Sequence, residues 1–449
     1  MGRLNYTFRE RYMLTASIRR DGYSAFGQGN PRATFPAVAL GWVLSDEKMM
    51  KSFEWLNYAK LRASYGLNGN RDIGRYLALA DLTTGKYQFI TPSGTTMLVS
   101  QLYVNRMANP RLKWEKTASL NFGFDFAILN SRLSGSVDVY KKETKDLLIF
   151  RALPDVTGFS NILSNLGQVD NKGIEIALNS TNISQKNFSW RSTVNFSLNR
   201  NKIVHLYGPV DVVDPVTGKV TQIEKDDVAN KWFIGRDINV IWDQKVLGVW
   251  QENERAQAAK YGVFPGDFKV EDVNGDGKYS NEDRQFLGSR NPKFQWTLRN
   301  EFTLFRNIDV SFMLYSSWGA KTDFNQAKNN SGFIDRQNSY KFPYWTPENP
   351  INDYARLFSS NGSASYSVYR KANFIRLNTV AVGYNLPKDL VERMKLQSLK
   401  IYANVTNAAI YQPDWTFWDV EFRNRDESNQ SISTAIPPRY YSLGLNLIF

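Results

Sequence analysis

The chain has 449 residues, 42% of them hydrophobic and 14% aromatic, and a formal net charge of +13; its Lys and Arg are scattered among 43 acidic residues rather than gathered into a basic arm, so a nucleic-acid binder is not expected. There is no cysteine and only one histidine, His205, which excludes disulfides, thiolate metal sites and Cys nucleophiles and leaves any His-dependent triad or metal site resting on one residue. No apolar run approaches the roughly 18 residues of a membrane-crossing helix: "AVALGWVL" (Ala37–Leu44) is about the longest, and Met1 opens no charged-then-apolar leader.

Composition favours strands, because the 28 Phe, 23 Tyr and 12 Trp suit a pleated surface. Period-two alternation predicts a short strand at 3–8, then strands near 12–20, 35–45, 59–67, 117–127, 133–144, 172–181, 188–200, 294–304, 308–318, 373–384, 398–408 and 439–449. In "ASLNFGFDFA" the side chains of Leu120, Phe122, Phe124 and Phe126 alternate with Ser119, Asn121, Gly123 and Asp125. The closing "YYSLGLNLIF" sets Tyr441, Leu443, Leu445, Leu447 and Phe449 against Tyr440, Ser442, Gly444 and Asn446. "GIEIALN", "WRSTVNFSLN", "IDVSFMLY" and "LKIYANVTN" repeat the pattern, each with one apolar and one polar face. "FIRLNTVAVGY" alternates poorly in its second half, where a bulge is expected.

A soluble sandwich also contains such strands, so length and connection must decide. Most of these runs have the roughly 9 to 11 residues a tilted strand needs to cross a bilayer, well above the globular mode of about 5 or 6. Short connections, namely Arg9–Arg11, "SDEKMMKSFEWLN" (helical in appearance), Ala127–Arg132, Asn182–Asn187, Phe305–Asn307 and "NLPKDLVERMKLQ", alternate with long ones at 21–34, 68–116, 145–171, 201–293, 319–372 and 409–438. Outer-membrane barrels sort their connections this way, with short periplasmic turns and long extracellular loops. The expectation is an all-β, antiparallel transmembrane β-barrel, here a partial barrel of about 13 strands. Leu120, Phe122, Phe124, Phe126, Leu443, Leu445, Leu447 and Phe449 then face the membrane, with Phe449 in the inner aromatic girdle.

Within the 201–293 loop, "DVNGDGKYSNED" has the spacing of a twelve-residue calcium loop. Asp272, Asn274 and Asp276 stand at positions 1, 3 and 5, Gly277 at the sharp turn, Lys278 offering its carbonyl at 7, Ser280 at 9 and Asp283 at 12. The last ligand is Asp rather than a bidentate Glu, and "PGDFKV" before it is not an entering helix. A static structural calcium ion is the functional reading, and an ion-free run of Asx turns the structural one. Seven loop aromatics, Trp232, Trp242, Trp250, Tyr344, Trp345, Trp415 and Trp418, could stack on sugar or peptide; residues of this kind more often pack a large loop against itself. Arg191, Arg376, Lys400 and Glu175 fall on lumen-facing positions, where they would touch cargo or a plug, or pair with each other and with plug residues. "WTPENP" reads as a turn cluster, because Pro347 and Pro350 forbid regular pairing.

Taken together, "RYMLTASIRRDGYSAFG", "FPAVALGWVLSDEKMM", "LKWEKTASLNFGFDF", "VDVYKKETKDLLI", "LGQVDNKGIEIAL", "FSWRSTVNFSLNRNKIVHL", "PGDFKVEDVNGDGKYSNEDRQFLGSRNPKFQW", "YWTPENP", "FIRLNTVAVGYNLP" and "PPRYYSLGLNLIF" resemble successive segments of the SusC/RagA-type TonB-dependent outer-membrane transporters, across essentially the whole chain. The resemblance implies a larger barrel filled by an N-terminal plug and lidded by a SusD-like surface lipoprotein. It also implies import of an oligosaccharide or peptide, powered by the TonB complex acting through the plug region. Residues 1–449 are therefore expected to be the C-terminal part of such a receptor barrel in the cell outer membrane of a Gram-negative bacterium, with the plug domain absent, as a truncated or split chain. "YQPDWTFWDVEF" departs from the family's usual loop before the last strand. Rival readings are a surface-displayed carbohydrate-binding or adhesin-like β protein and a polysaccharide-cleaving enzyme. Beyond the calcium-type loop no spaced carboxylate pair stands out, so no catalytic residue is assigned and an enzyme is not expected.

Overall fold

The computed structural model describes residues 1–26, 30–71, 77–213, 215–328, 343–415, 419–421 and 438–449. Thirteen strands form one sheet in strict sequence order. They are β1 (Gly2–Phe8), β2 (Tyr12–Gly22), β3 (Arg32–Val43), β4 (Leu56–Asn70), β5 (Glu115–Ile128), β6 (Leu133–Lys145), β7 (Gln168–Ser184), β8 (Phe188–His205), β9 (Phe294–Leu304), β10 (Ile308–Trp318), β11 (Phe374–Asn385), β12 (Ser398–Tyr411) and β13 (Tyr440–Ile448). Neighbours run antiparallel, and the sheet does not close: among the described residues β1 and β13 each pair on one side only. This is a partial barrel wall.

Every strand expected from alternation is present. The main discrepancies are extensions, since β4 runs to Asn70, β7 starts at Gln168 and β8 reaches His205, all at the ends carrying long connections. The bulge falls at mid-strand, where the register slips between Leu377 and Thr379, rather than in the second half of β11. The connection that looked helical contains only 3-10 turns, Leu44–Asp46 and Lys48–Met50. The last short connection does hold one helix, α1 (Lys388–Arg393).

The chain divides into two compact units, Met1–Ser131, Gly135–Ile174 and Asn199–Ile238 in one, Arg132–Ser134, Glu175–Leu198 and Asn239–Phe449 in the other. In the first, the register aligns apolar side chains into continuous rows. Phe8, Tyr12, Trp42, Leu61 and Phe124 lie opposite one another across five strands; so do Tyr6, Leu14, Leu40, Ala63 and Phe122, and Leu4, Ala16, Val38, Tyr65 and Leu120. Most of these large side chains are exposed, Phe122 at 56%. The aromatic row lies next to the short turns and is tied down: Glu47 accepts hydrogen bonds from Tyr12 Oη at 2.6 Å and Trp42 Nε1 at 3.2 Å, and pairs with Arg11. The Tyr12 and Trp42 hydrogen bonds hold its carboxyl below the usual carboxylate range.

In the second unit, Tyr384, Ile401 and Leu445 align, as do Val382, Ala403 and Leu443. Polar side chains on the apolar side there are mutually satisfied. Asn300 accepts from Trp190 Nε1 at 2.8 Å and Ser192 Oγ at 2.6 Å, and Asn182 donates to Ser192. Without those bonds each group would carry the cost of an unpaired polar atom on an apolar surface.

Candidate functional site

On the polar face of the first unit, β4, β5 and β6 bring charged side chains together. Arg62 forks to both oxygens of Asp125 at 2.8 Å and to both of Asp138 at 3.0 Å, and Asn121 donates to Asp138 at 2.9 Å. Gly123 makes the room, because a Cβ there would lie 2.5 Å from the Arg62 guanidinium carbon. Arg62 and Asp138 were not singled out by the sequence; their signal is a charge on the polar side of an otherwise membrane-length strand.

Of the expected lumen residues, Arg376 on β11 is 3% exposed. Its Nη2 meets Asp419 at 2.5 Å and its Nε meets Glu421 at 2.7 Å, and Tyr315 on β10 also donates to Glu421. Lys400 pairs with Asp309 at 2.7 Å. Arg191 stands opposite Glu301 in the ladder, and Glu175 is exposed. These four do not pair with one another; the two partnered ones find carboxylates elsewhere in the second unit.

The 201–293 connection contains two separately packed parts. In the first unit, the hairpin Val210–Val213/Val220–Ile223 is anchored where Glu224 meets His205 Nδ1 at 2.8 Å and accepts the backbone N–H of Leu206 and Gly208. Burial opposes the charge on Glu224, but these bonds outweigh it and hold the carboxyl below its usual range. In the second unit, Val240–Gln244 pairs with Arg284–Ser289 and Val246–Val249 with Phe268–Val270, framing the calcium-type loop.

That loop is closed by its own Asx turns. Asp272 accepts from the N–H of Gly275 and Gly277, Asn274 from Asp276, Asp276 from Lys278, and Asp283 from Val273 and Ser280. Gly277 adopts φ +78, a conformation that suits glycine. Burial would raise the Asp272 carboxyl, but the Gly277 and Gly275 N–H groups hold it below the usual range. Asp283 is fully buried, while Asp276 and Asn274 are exposed. Among the described residues no three His, Cys, Asp or Glu side chains converge as a metal site.

The loop aromatics separate sharply. Trp250, Trp345 and Trp415 are 4%, 6% and 5% exposed. Trp345 donates to Gln251 at 2.9 Å, Trp415 to the Lys371 carbonyl at 3.0 Å, and Phe324 meets Trp415 edge-on at 4.9 Å. Trp250 stacks on Tyr261, with the Lys269 ammonium 4.3 Å from its ring. These three fill loop cores, and their faces are taken by the protein itself rather than open to cargo. Trp232 packs half-buried against the Val169, Ile203 and Leu206 cluster, and Trp242 lies 5.3 Å beneath the Arg284 guanidinium. Tyr344 is 42% exposed. Trp418 lies outside the described residues. "WTPENP" is a turn, closed by Thr346 and Asn349.

Comparison with known proteins agrees with this architecture. Residues 1–228 match a family model described as TonB dependent receptor-like, beta-barrel. The whole chain is 32% identical to TonB-dependent receptor P26 of Formosa agariphila, covering 46% of that protein, and 28% identical to TonB-dependent receptor SusC of Bacteroides thetaiotaomicron, covering 43% of it. The solved RagAB peptide transporter superposes on all of this chain and 47% of its own with a TM-score of 0.74 at 23% identity, a likeness of fold. The chain thus spans about half the length of the curated relatives it matches.

Proposed function

Because the chain belongs to the TonB-dependent receptor β-barrel family, we propose that it supplies part of the wall and the outer loops of an outer-membrane nutrient importer. Strands that close the sheet would be contributed by further sequence, since unpaired edges at membrane depth leave backbone groups without partners. In this reading the apolar rows meet lipid and the Arg62–Asp125–Asp138 face lines the lumen. The long connections stand outside the cell, and no catalytic step is involved. The cargo class is an oligosaccharide or a peptide, taken in with a SusD-like lipoprotein and driven by the TonB complex through a plug region. Among the aromatic candidates Tyr344 retains the exposure that stacking on cargo requires. The three registered apolar rows beside a charged opposite face carry the proposal. Size-exclusion chromatography tests it: the purified chain is expected to be monodisperse only in detergent. A monodisperse species in plain buffer would overturn the lipid-facing belt.

A structural calcium ion in the Asp272–Asp283 loop belongs to the same reading. Asp272, Asn274, Asp276, the Lys278 carbonyl, Ser280 and Asp283 would hold it, bracing the outer loop. What supports this is the twelve-residue spacing, together with the acceptor capacity that carboxylates keep after taking one or two N–H bonds each. The ion would act as a static clamp weaker than a sensor site, because position 12 is Asp. Adding a chelator should speed protease cleavage between 272 and 283; an unchanged digestion pattern would end the calcium assignment.

A further inference from the structure

At the long-connection ends of β2 and β4, just ahead of β5, the first unit contains a cleft of about 610 Å³ lined by Arg19, Arg20, Asp21, Gly69, Arg71 and Trp114. Three arginines and a single carboxylate line it, and that carboxylate is already engaged: Arg19 Nε lies 2.9 Å from Asp21. Arg20 and Arg71 have no counter-charge among the described residues. Two of the three guanidiniums are steadied by rings, Arg71 at 4.8 Å from Tyr23 and Arg19 at 5.6 Å from Phe35, an arrangement that leaves the N–H edges free to donate. Trp114 is 3% exposed, packed with Phe26 and Phe35, and its indole N–H has no hydrogen-bond partner among the described residues. A buried indole donor ordinarily finds an acceptor. Every unengaged polar group here therefore donates, and two of them are permanently cationic.

We propose that this cleft binds a phosphate monoester. Its tetrahedral, dianionic oxygens match forked guanidinium donors, and the site goes beyond import, since it lies at the wall rim, where Arg71 and Trp114 of the 68–116 connection meet the end of β2. Two sources share this chemistry: a lipid headgroup at the outer membrane face, and a soluble phosphate or phosphorylated solute. Arg20 shares its face with Ile18 and the apolar rows, whereas Arg19 and Asp21 lie on the other face, so the cleft straddles the rim.

Isothermal titration of the full chain in a neutral detergent, first with inorganic phosphate and then with phosphatidic acid presented in mixed micelles, tests the assignment. Saturable binding is expected, weakened at least about tenfold by Arg20→Gln with Arg71→Gln and unchanged by Lys86→Ala on the separate hairpin Asp81–Ile90/Thr96–Arg106. Both arginines are exposed, so their loss leaves folding intact; Trp114→Phe should weaken binding by a smaller factor. Tighter binding of the micellar lipid than of inorganic phosphate identifies the headgroup source, and the reverse order the soluble one. Absence of saturable binding by either probe, or equal binding by the double variant, overturns the site.

Discussion

Replacing Arg376 with leucine is expected to destabilise the second unit by roughly 3 to 5 kcal/mol, the cost of leaving a buried charge without its partner. Arg376 and Asp419 are 4% and 6% exposed at their side chains, so neither water nor salt can replace the lost contact. Glu421 is 33% exposed and can rehydrate, which places most of the penalty on Asp419. Asp419 would also lose its only cationic neighbour among the described residues, while keeping the Glu421 N–H bond. The clamp fixes a piece of the last long connection onto a wall strand: Val420, between the two carboxylates, is fully buried in the same loop core as Phe374 and Trp415. Denaturant unfolding in detergent, followed with protease cleavage near 419–421, checks the expectation. Restoring charge balance in Arg376→Met with Asp419→Leu should recover most of the loss, because an apolar pair of similar volume is often as stable as the ions it replaces. A single variant as stable as the parent would mean that the carboxylates are not held by Arg376 at all.

The contrast between wall and loops explains what the amino-acid order could reveal. Each wall strand is a local statement: Leu120, Phe122 and Phe124 alternate with Asn121, Gly123 and Asp125, so the two faces can be read without knowing any neighbour. Even so, the tight turns were legible only by their length. Arg9 and Glu10, like Phe305 and Arg306, adopt positive φ, with none of the Asn-Gly pairs that usually announce such hairpins; the wall pairing imposes the conformation instead. Loop cores depend on partners far apart in sequence. Nothing near Trp345 indicates that its ring will be buried with Gln251 accepting its N–H, or that Asp419 will find Arg376, and composition alone offered Trp345 and Tyr344 as equals. The Asp272–Asp283 motif lies between these cases, because its Asx turns are local and follow from Asp, Asn and Gly spacing, whereas ion occupancy depends on oxygens that the spacing only suggests.

Phe122→Arg should cost roughly 2 to 4 kcal/mol in a lipid bilayer, and this substitution separates the membrane reading from any soluble sheet. Phe122 is 56% exposed and continues the row Tyr6, Leu14, Leu40 and Ala63 onto β5. If that surface met water, an exposed position would tolerate Arg within about 0.5 kcal/mol; if it meets hydrocarbon, the guanidinium must be desolvated or drag water inward. The neighbouring residue supplies the control. Asn121 points to the opposite face, donating to Asp138 beside Arg62, where two carboxylates can receive another cation. Asn121→Arg loses one hydrogen bond, about 1 kcal/mol, and regains part of it through Asp138. Leu445→Arg and Asn446→Arg repeat the comparison on β13, with a smaller difference because that strand is an edge. Refolding yield and urea midpoint in phospholipid vesicles measure both pairs. Apolar-face variants should fall well below their polar-face partners in vesicles, and equal losses on the two faces would leave the exposed rows without a lipid to face.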